Sequence, residues 1–188
     1  MSTTITVTSI VDDDLNWEYV TVEFGLQNSL TLKGTAHTDA AARRVLGIRF
    51  PSIAIPQGRA IIAAKVQVQC INNSNDDANV TIYGNDVDDA ADFVAEADVN
   101  NRALTAANVT WAQNSLGDAY VDSPELKTIL QEIVDRGSWA SGNAVMIIME
   151  GKSDVIKAFE IEAYLQAGEQ PILEVTYASA RSKLIVIL

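Results

Sequence analysis

Apolar and polar residues alternate with a period of two along most of this chain, the pattern of strands buried on one face. Ile5 and Val7 alternate with Thr4, Thr6 and Thr8, and Asp12, Asp13 and Asp14 break the run. Residues 19–24 (YVTVEF) read as a second strand, followed by a polar stretch through Asp39 that contains Gly25 and Gly34. Residues 43–50 make a third, stopped by Pro51. Pro56, Gln57 and Gly58 form a turn, because proline presets φ and glycine tolerates φ > 0. Beyond it the spacing puts Ile62, Ala64, Val66 and Val68 on one strand face and Lys65, Gln67 and Gln69 on the other. Residues 72–79 (NNSNDDAN) are a loop by composition, and 80–85 and 108–111 read as strands. Between those two, Asp86 is placed to cap a short helix carrying Val87, Ala90, Ala91 and Val94. Further strands fall at 144–149, 158–163 and 172–177, the last opened by Pro171, which needs no ladder donor there.

The period changes once. Leu126, Ile129, Leu130, Ile133 and Val134 follow helical spacing, so a helix is expected over about 124–136. Ser123 is the expected N-cap, Pro124 the first helical residue, Glu125 a favourable charge for the helix dipole and Gly137 the stop. About ten short strands with one packed helix predict a mainly β chain, an antiparallel, jelly-roll-like β-sandwich. No repeat and no Gly-, Ser- or Pro-rich linker divides it, so residues 1–177 are expected as one domain and 178–188 as an apolar C-terminal strand.

Composition narrows the function classes. The chain has 188 residues, 48% hydrophobic, enough for one sizeable core. Its formal charge of −12 repels phosphate backbones, so nucleic acid is not an expected partner. No apolar run approaches the roughly 20 residues that cross a bilayer, so a membrane is not expected either. The alternating first residues read as a strand and not a signal peptide, which implies synthesis in the cytoplasm without the ordinary secretory route. A single cysteine, Cys70, rules out an internal disulfide.

Little catalytic chemistry is available. The lone histidine, His37, lies in a polar stretch, and Cys70 ends an alternating strand as a small apolar filler. One His and one Cys do not supply a transition-metal site. Calcium is better served, since it takes six to eight oxygens. The candidates are Asp12, Asp13 and Asp14, then Asp76 and Asp77, then Asp86, Asp88 and Asp89, although a solvated acidic face is the plainer reading. No other cofactor and no enzymatic activity is expected. For stacking on a sugar ring, Trp17 is the better exposed candidate, with packing at a sheet edge as its alternative role, whereas Trp111 and Trp139 read as core. The terminal run Lys183, Leu184, Ile185, Val186, Ile187 and Leu188 must pair with a strand, in its own sheet or on the sheet edge of a neighbouring subunit.

An ordered set of short motifs resembles the DNRLRE-type β-sandwich domain, a group allied to carbohydrate-binding modules. It comprises Arg49-Phe50-Pro51, the Ile55-Pro56-Gln57-Gly58 turn, Ile62 to Val66, Val109-Thr110-Trp111, the helix into Trp139, Gly142 and Asn143, and Pro171 to Tyr177. The resemblance implies a jelly-roll sandwich of extracellular or surface-exposed proteins, with adhesive or polysaccharide-linked roles. Together these readings predict a non-catalytic assembly protein. It is expected as a homo-oligomeric decoration or cement protein on the surface of a phage-type virion or extracellular particle. The alternative is a carbohydrate-binding or adhesive module that binds polysaccharide.

Overall fold

The computed structural model describes residues 2–8, 15–18, 29–34, 45–70, 78–92, 99–113, 119–151, 157–162 and 170–179. They form a mainly β, antiparallel fold with a single short α-helix among them. A four-stranded sheet has the order β1 (Ser2–Thr8), β11 (Ile172–Ala178), β5 (Ile61–Gln69), β8 (Tyr120–Asp122). A five-stranded sheet has the order β2 (Leu15–Glu18), β4 (Val45–Phe50), β9 (Val145–Gly151), β6 (Ala78–Gly84), β7 (Val109–Gln113). A separate ribbon pairs β3 (Ser29–Gly34) with β10 (Lys157–Glu162).

The two larger sheets face each other across the main core. Leu46, Ile48, Phe50, Val80, Ile82 and Trp111 come from one side, and Ala64, Val66, Val68, Leu173 and Val175 from the other. Every residue of β9 is buried, because its sheet is covered on both faces. Val145, Ile147 and Met149 enter the main core, while Met146 and Ile148 join Val45, Ala90 and Val99 in a second cluster. Residues around Val87 and Leu104 pack on that second cluster. The segment thought to begin a helix at Asp86 is therefore an irregular cover: residues 86–92 hold no helix, and a 3₁₀ turn occupies Val99–Asn101. Its apolar residues serve a sheet face instead of a helix stripe. Val94 lies outside the described residues.

Three other expectations are corrected. The polar stretch through Asp39 contains a strand, β3, whose Leu30 and Leu32 carry the short alternation. Ile62 does not share a face with Val66. The β5–β11 register slips so that Thr176 faces Ala63 and Tyr177 faces Ile61. This bulge turns Ile61 inward, 8% exposed, and leaves Ile62 outward at 49%. Residues 19–24, read as strand, and 72–77 of the stretch read as a loop lie outside the described residues, whereas Ala78 and Asn79 of that stretch belong to β6.

The third correction concerns the helix. It is α1 (Lys127–Val134), shorter than 124–136, with Ile129, Leu130, Ile133 and Val134 buried as the spacing requires. Leu126 occupies the N-cap position without a side-chain cap, and Asp135 follows the last turn in a helical conformation. Gly137 is not in the left-handed region and does not act as the stop. Ser123 and Pro124 precede the helix because the chain leaving β8 stays bonded to the edge of β5. Ser123 N–H donates to Val66 O (2.8 Å), and Ser123 Oγ accepts from Val66 N–H (3.0 Å). Leu126 N–H donates to Ala64 O (2.8 Å), and Glu125 Oε1 accepts from Ala64 N–H (2.7 Å) and Lys127 N–H (2.9 Å). One turn later, Gln131 Oε1 accepts from Ile61 N–H (2.7 Å) and its Nε2 donates to Arg59 O (3.2 Å). The hydroxyl expected to cap the helix thus satisfies a strand, while the Glu125 carboxylate, expected to complement the helix dipole, serves both the strand and the first helical N–H.

On its far side α1 meets β6 through Gly84. A Cβ there would lie 2.7 Å from Ile133 Cδ1 and 2.9 Å from Ile129 Cγ2. Gly84→Ala is expected to destabilise the fold by about 1–3 kcal/mol through this overlap, read as a lower urea midpoint with an unchanged m-value. Ser123→Ala leaves the buried Val66 N–H without its acceptor and is expected to cost about 1–3 kcal/mol, measured in the same way.

Candidate functional site

The outer face of the four-stranded sheet gathers the polar half of each strand. Cross-strand register places Thr4 beside Thr176, Thr6 beside Glu174, Glu174 beside Lys65, Ile172 beside Gln67, Gln67 beside Asp122 and Gln69 beside Tyr120. Thr4 and Thr176 share a hydroxyl hydrogen bond (2.8 Å). Asp122 accepts from Lys65 Nζ (2.8 Å) and from Gln67 Nε2 (2.6 Å), with Glu174 Oε1 3.9 Å from the same ammonium. Tyr120 stands at the edge of the face, 39% exposed, its hydroxyl donating to Gln170 O (3.1 Å). A shallow open pocket of about 180 Å³ lies where this face meets the segment leading to α1, lined by Ala63, Ala64, Lys65, Asp122, Ser123, Glu125 and Glu174.

The electrostatics of this pocket fix its charge states. The hydrogen bond that Lys65 donates to Asp122, with the charges of Asp122 and Glu174, raises the Lys65 pKa against the opposing effect of burial. The hydrogen bonds from Lys65 and Gln67 hold the Asp122 carboxyl below its ordinary value. A nucleophilic lysine needs a lowered pKa and a general acid a raised one. Both shifts here run the other way. What the face offers is a flat array of donors and acceptors around a fixed ion pair, with one aromatic ring at its rim.

In the acidic segment named above as a calcium candidate, the aspartates have protein partners. Asp86 and Asp88 both pair with Arg136, which follows α1, Asp88 Oδ1 lying 3.1 Å from its Nε. Partial burial, the largest single effect on Arg136, lowers its pKa, but the hydrogen bonds and charges of the two aspartates outweigh it and the net shift is upward. Asp89 Oδ1 accepts from Ala144 N–H (2.7 Å), and Asn143 Nδ2 donates to Asp88 O (3.0 Å). Two more arginines hold the same cover: Arg49 Nε donates to Ala90 O (2.8 Å), and Arg102 donates to Ala91 O (2.8 Å) and Asp92 O (2.9 Å). The segment is pinned over the second core as a structural lid. Among the described residues no three His, Cys, Asp or Glu side chains converge as a metal site.

The remaining candidates separate cleanly. Trp111 and Trp139 are buried, their indole N–H groups donating to Gln113 Oε1 (3.2 Å) and Ile55 O (2.9 Å), and Cys70 is buried in the same main core. Trp17 lies on β2, its backbone opposite Leu46, with its side chain outside the described residues. Asp12, Asp13, Asp14, Asp76, Asp77, His37 and residues 183–188 also lie outside them. Sequence reasoning missed Asp122, Glu174 and Tyr120 as members of one face. Alternation located Lys65, Gln67 and Gln69, but three-residue β8 carries too little pattern to be found. Among the described residues no helix is long and apolar enough to cross a membrane.

Arg136→Ala is expected to lower stability by about 1 kcal/mol, since the pair is partly exposed. Double-mutant cycles with Asp86→Ala and with Asp88→Ala should between them return most of that loss as coupling. Asp122, whose pKa is depressed on folding, contributes stability above the ordinary carboxylate range and loses it as pH falls through the lower folded value. With the lysine and aspartate side chains 31% and 49% exposed, the amplitude is expected below about 1 kcal/mol. Asp122→Asn should remove that part of the acid-side slope in urea midpoints taken from pH 5 to pH 2.

No family model and no curated protein matches this chain.

Proposed function

We propose that this chain is a non-catalytic structural module that works by assembling with other protein chains, first of all with copies of itself. The observation that carries this reading is the outer edge of β1. Sheets protect such edges with charges, prolines, bulges or short strands. β1 has none of these: its seven residues STTITVT are uncharged, six are β-branched, and the ladder to β11 runs unbroken from Ser2 to Thr8. Among the described residues β11 is its only strand partner. An edge of this kind is a template for another strand. The net charge of −12 keeps copies apart except where such an edge engages. Decoration or cementing of a particle surface, such as that of a phage-type virion, is the setting we propose, in keeping with the resemblance to DNRLRE-type sandwiches.

A second reading, carbohydrate binding, draws on the outer sheet face, where Tyr120, Gln67, Gln69 and Glu174 offer a ring and hydrogen-bonding groups side by side. It predicts saturable binding of a soluble polysaccharide that Tyr120→Ala weakens at least several-fold, measured by calorimetric titration. The assembly reading predicts one defined oligomer for the full chain by size exclusion with light scattering across the micromolar range. A monomer throughout that range overturns it.

A further inference from the structure

We propose that the outer edge of β1 receives, as an added strand, the apolar hexapeptide at residues 183–188 of a second copy of this chain. The inference deepens the assembly reading and rests on it.

The edge can be specified group by group. Ala178 N–H donates to Ala60 O, so that residue directs its main-chain groups toward β5. Main-chain direction alternates along a strand, and therefore Leu173, Val175 and Tyr177 direct theirs toward β1. Their register partners are Val7, Ile5 and Thr3. The intervening residues, Ser2, Thr4 and Thr6, turn their N–H and C=O groups outward, away from β11. Four-stranded pairing thus ends in a row of main-chain donors and acceptors, the groups a further strand pairs with.

The occupant follows from sequence and topology together. Residues 183–188 read KLIVIL: one lysine, then five aliphatic residues, three of them β-branched. A strand of six matches an edge of seven. The segment follows β11 after a short link, and Ala178, where β11 ends, lies opposite Ser2, where β1 begins. It cannot fold back onto β11, because β1 occupies one side of that strand and β5 the other. A return onto β1 of the same chain would run from the Ser2 end toward the Thr8 end, parallel to β1, which is the weaker ladder per residue. A hexapeptide arriving from a second copy is free of that constraint and pairs antiparallel. Reciprocal donation between two copies covers both edges at once, the closed arrangement expected of a two-fold dimer.

Two variants separate donor from acceptor. A chain ending at Ser182 keeps the edge and lacks the hexapeptide. The full chain carrying Thr4→Pro and Thr6→Pro keeps the hexapeptide and loses two outward N–H groups, with no ladder bond to β11 removed. Light scattering should give a dimer or larger defined oligomer for the unaltered chain and a monomer for each variant alone. An equimolar mixture should give a one-to-one complex. As a check independent of the proline variant's folding, a labelled peptide of residues 179–188 should bind the truncated chain saturably in fluorescence anisotropy. If the truncated chain keeps the mass of the unaltered one, assembly stands through another surface and the inference fails. If the labelled peptide does not bind, or the two folded variants do not associate, the inference fails. If the unaltered chain is monomeric, this inference and the assembly reading fail together.

Discussion

The edge of β5 is the constraint around which this molecule is organised. β5 lies between a longer neighbour, β11, and a three-residue one, β8, so among the described residues the first half of its outer edge has no strand to bond. Buried main-chain groups without partners are costly, at roughly 1–3 kcal/mol each. The chain meets this with side chains: Ser123, Glu125 and Gln131 take the N–H groups of Val66, Ala64 and Ile61 in turn. An eight-residue helix is too short to persist alone, where roughly 12–15 residues are already marginal. α1 exists because it substitutes for a missing strand while its apolar face fills the gap between sheets.

That double duty makes α1 the joint between the layers. Gln131 and Glu125 tie it to the four-stranded sheet. Glu132 accepts from Ala106 and Ala107 N–H (both 2.8 Å) just before β7, and the following Arg136 holds Asp86 and Asp88. Gly84 permits the close approach on the five-stranded side. The lid over the second core is linked to the same helix through Arg136. Acidic residues that look spare in the sequence are thereby committed to holding a third layer in place.

Much of this was legible from periodicity alone. The alternation around Val66, the run before Pro51, the strands at β6, β7, β9, β10 and β11 and the buried stripe of α1 all follow from spacing. The failures have local physical causes. Ile62 left its expected face because a bulge resets the phase of two, and nothing in IIAAKV announces a bulge. Ser123 failed as a cap because an unsatisfied strand edge, remote in sequence, outcompeted the helix N-terminus for its hydroxyl. The run from Asp86 onward suggested a helix because a cover over a sheet face and an amphipathic helix demand similar mixtures of Asp, Ala and Val. The polar sheet face was half visible, through Lys65 and Gln67, but its completion by Asp122 and Glu174 depends on long-range register.

The order of strands also governs how the chain is made. β11 is the latest-synthesised of the described strands, yet it sits between β1, the earliest, and β5. β11 must therefore be made before β1 gains its partner and before β5 gains its longer one, β8 being only three residues. Such distant pairings slow folding and lengthen exposure to misassociation. Folding yield is therefore expected to fall as chain concentration rises, because open strands then meet other chains first.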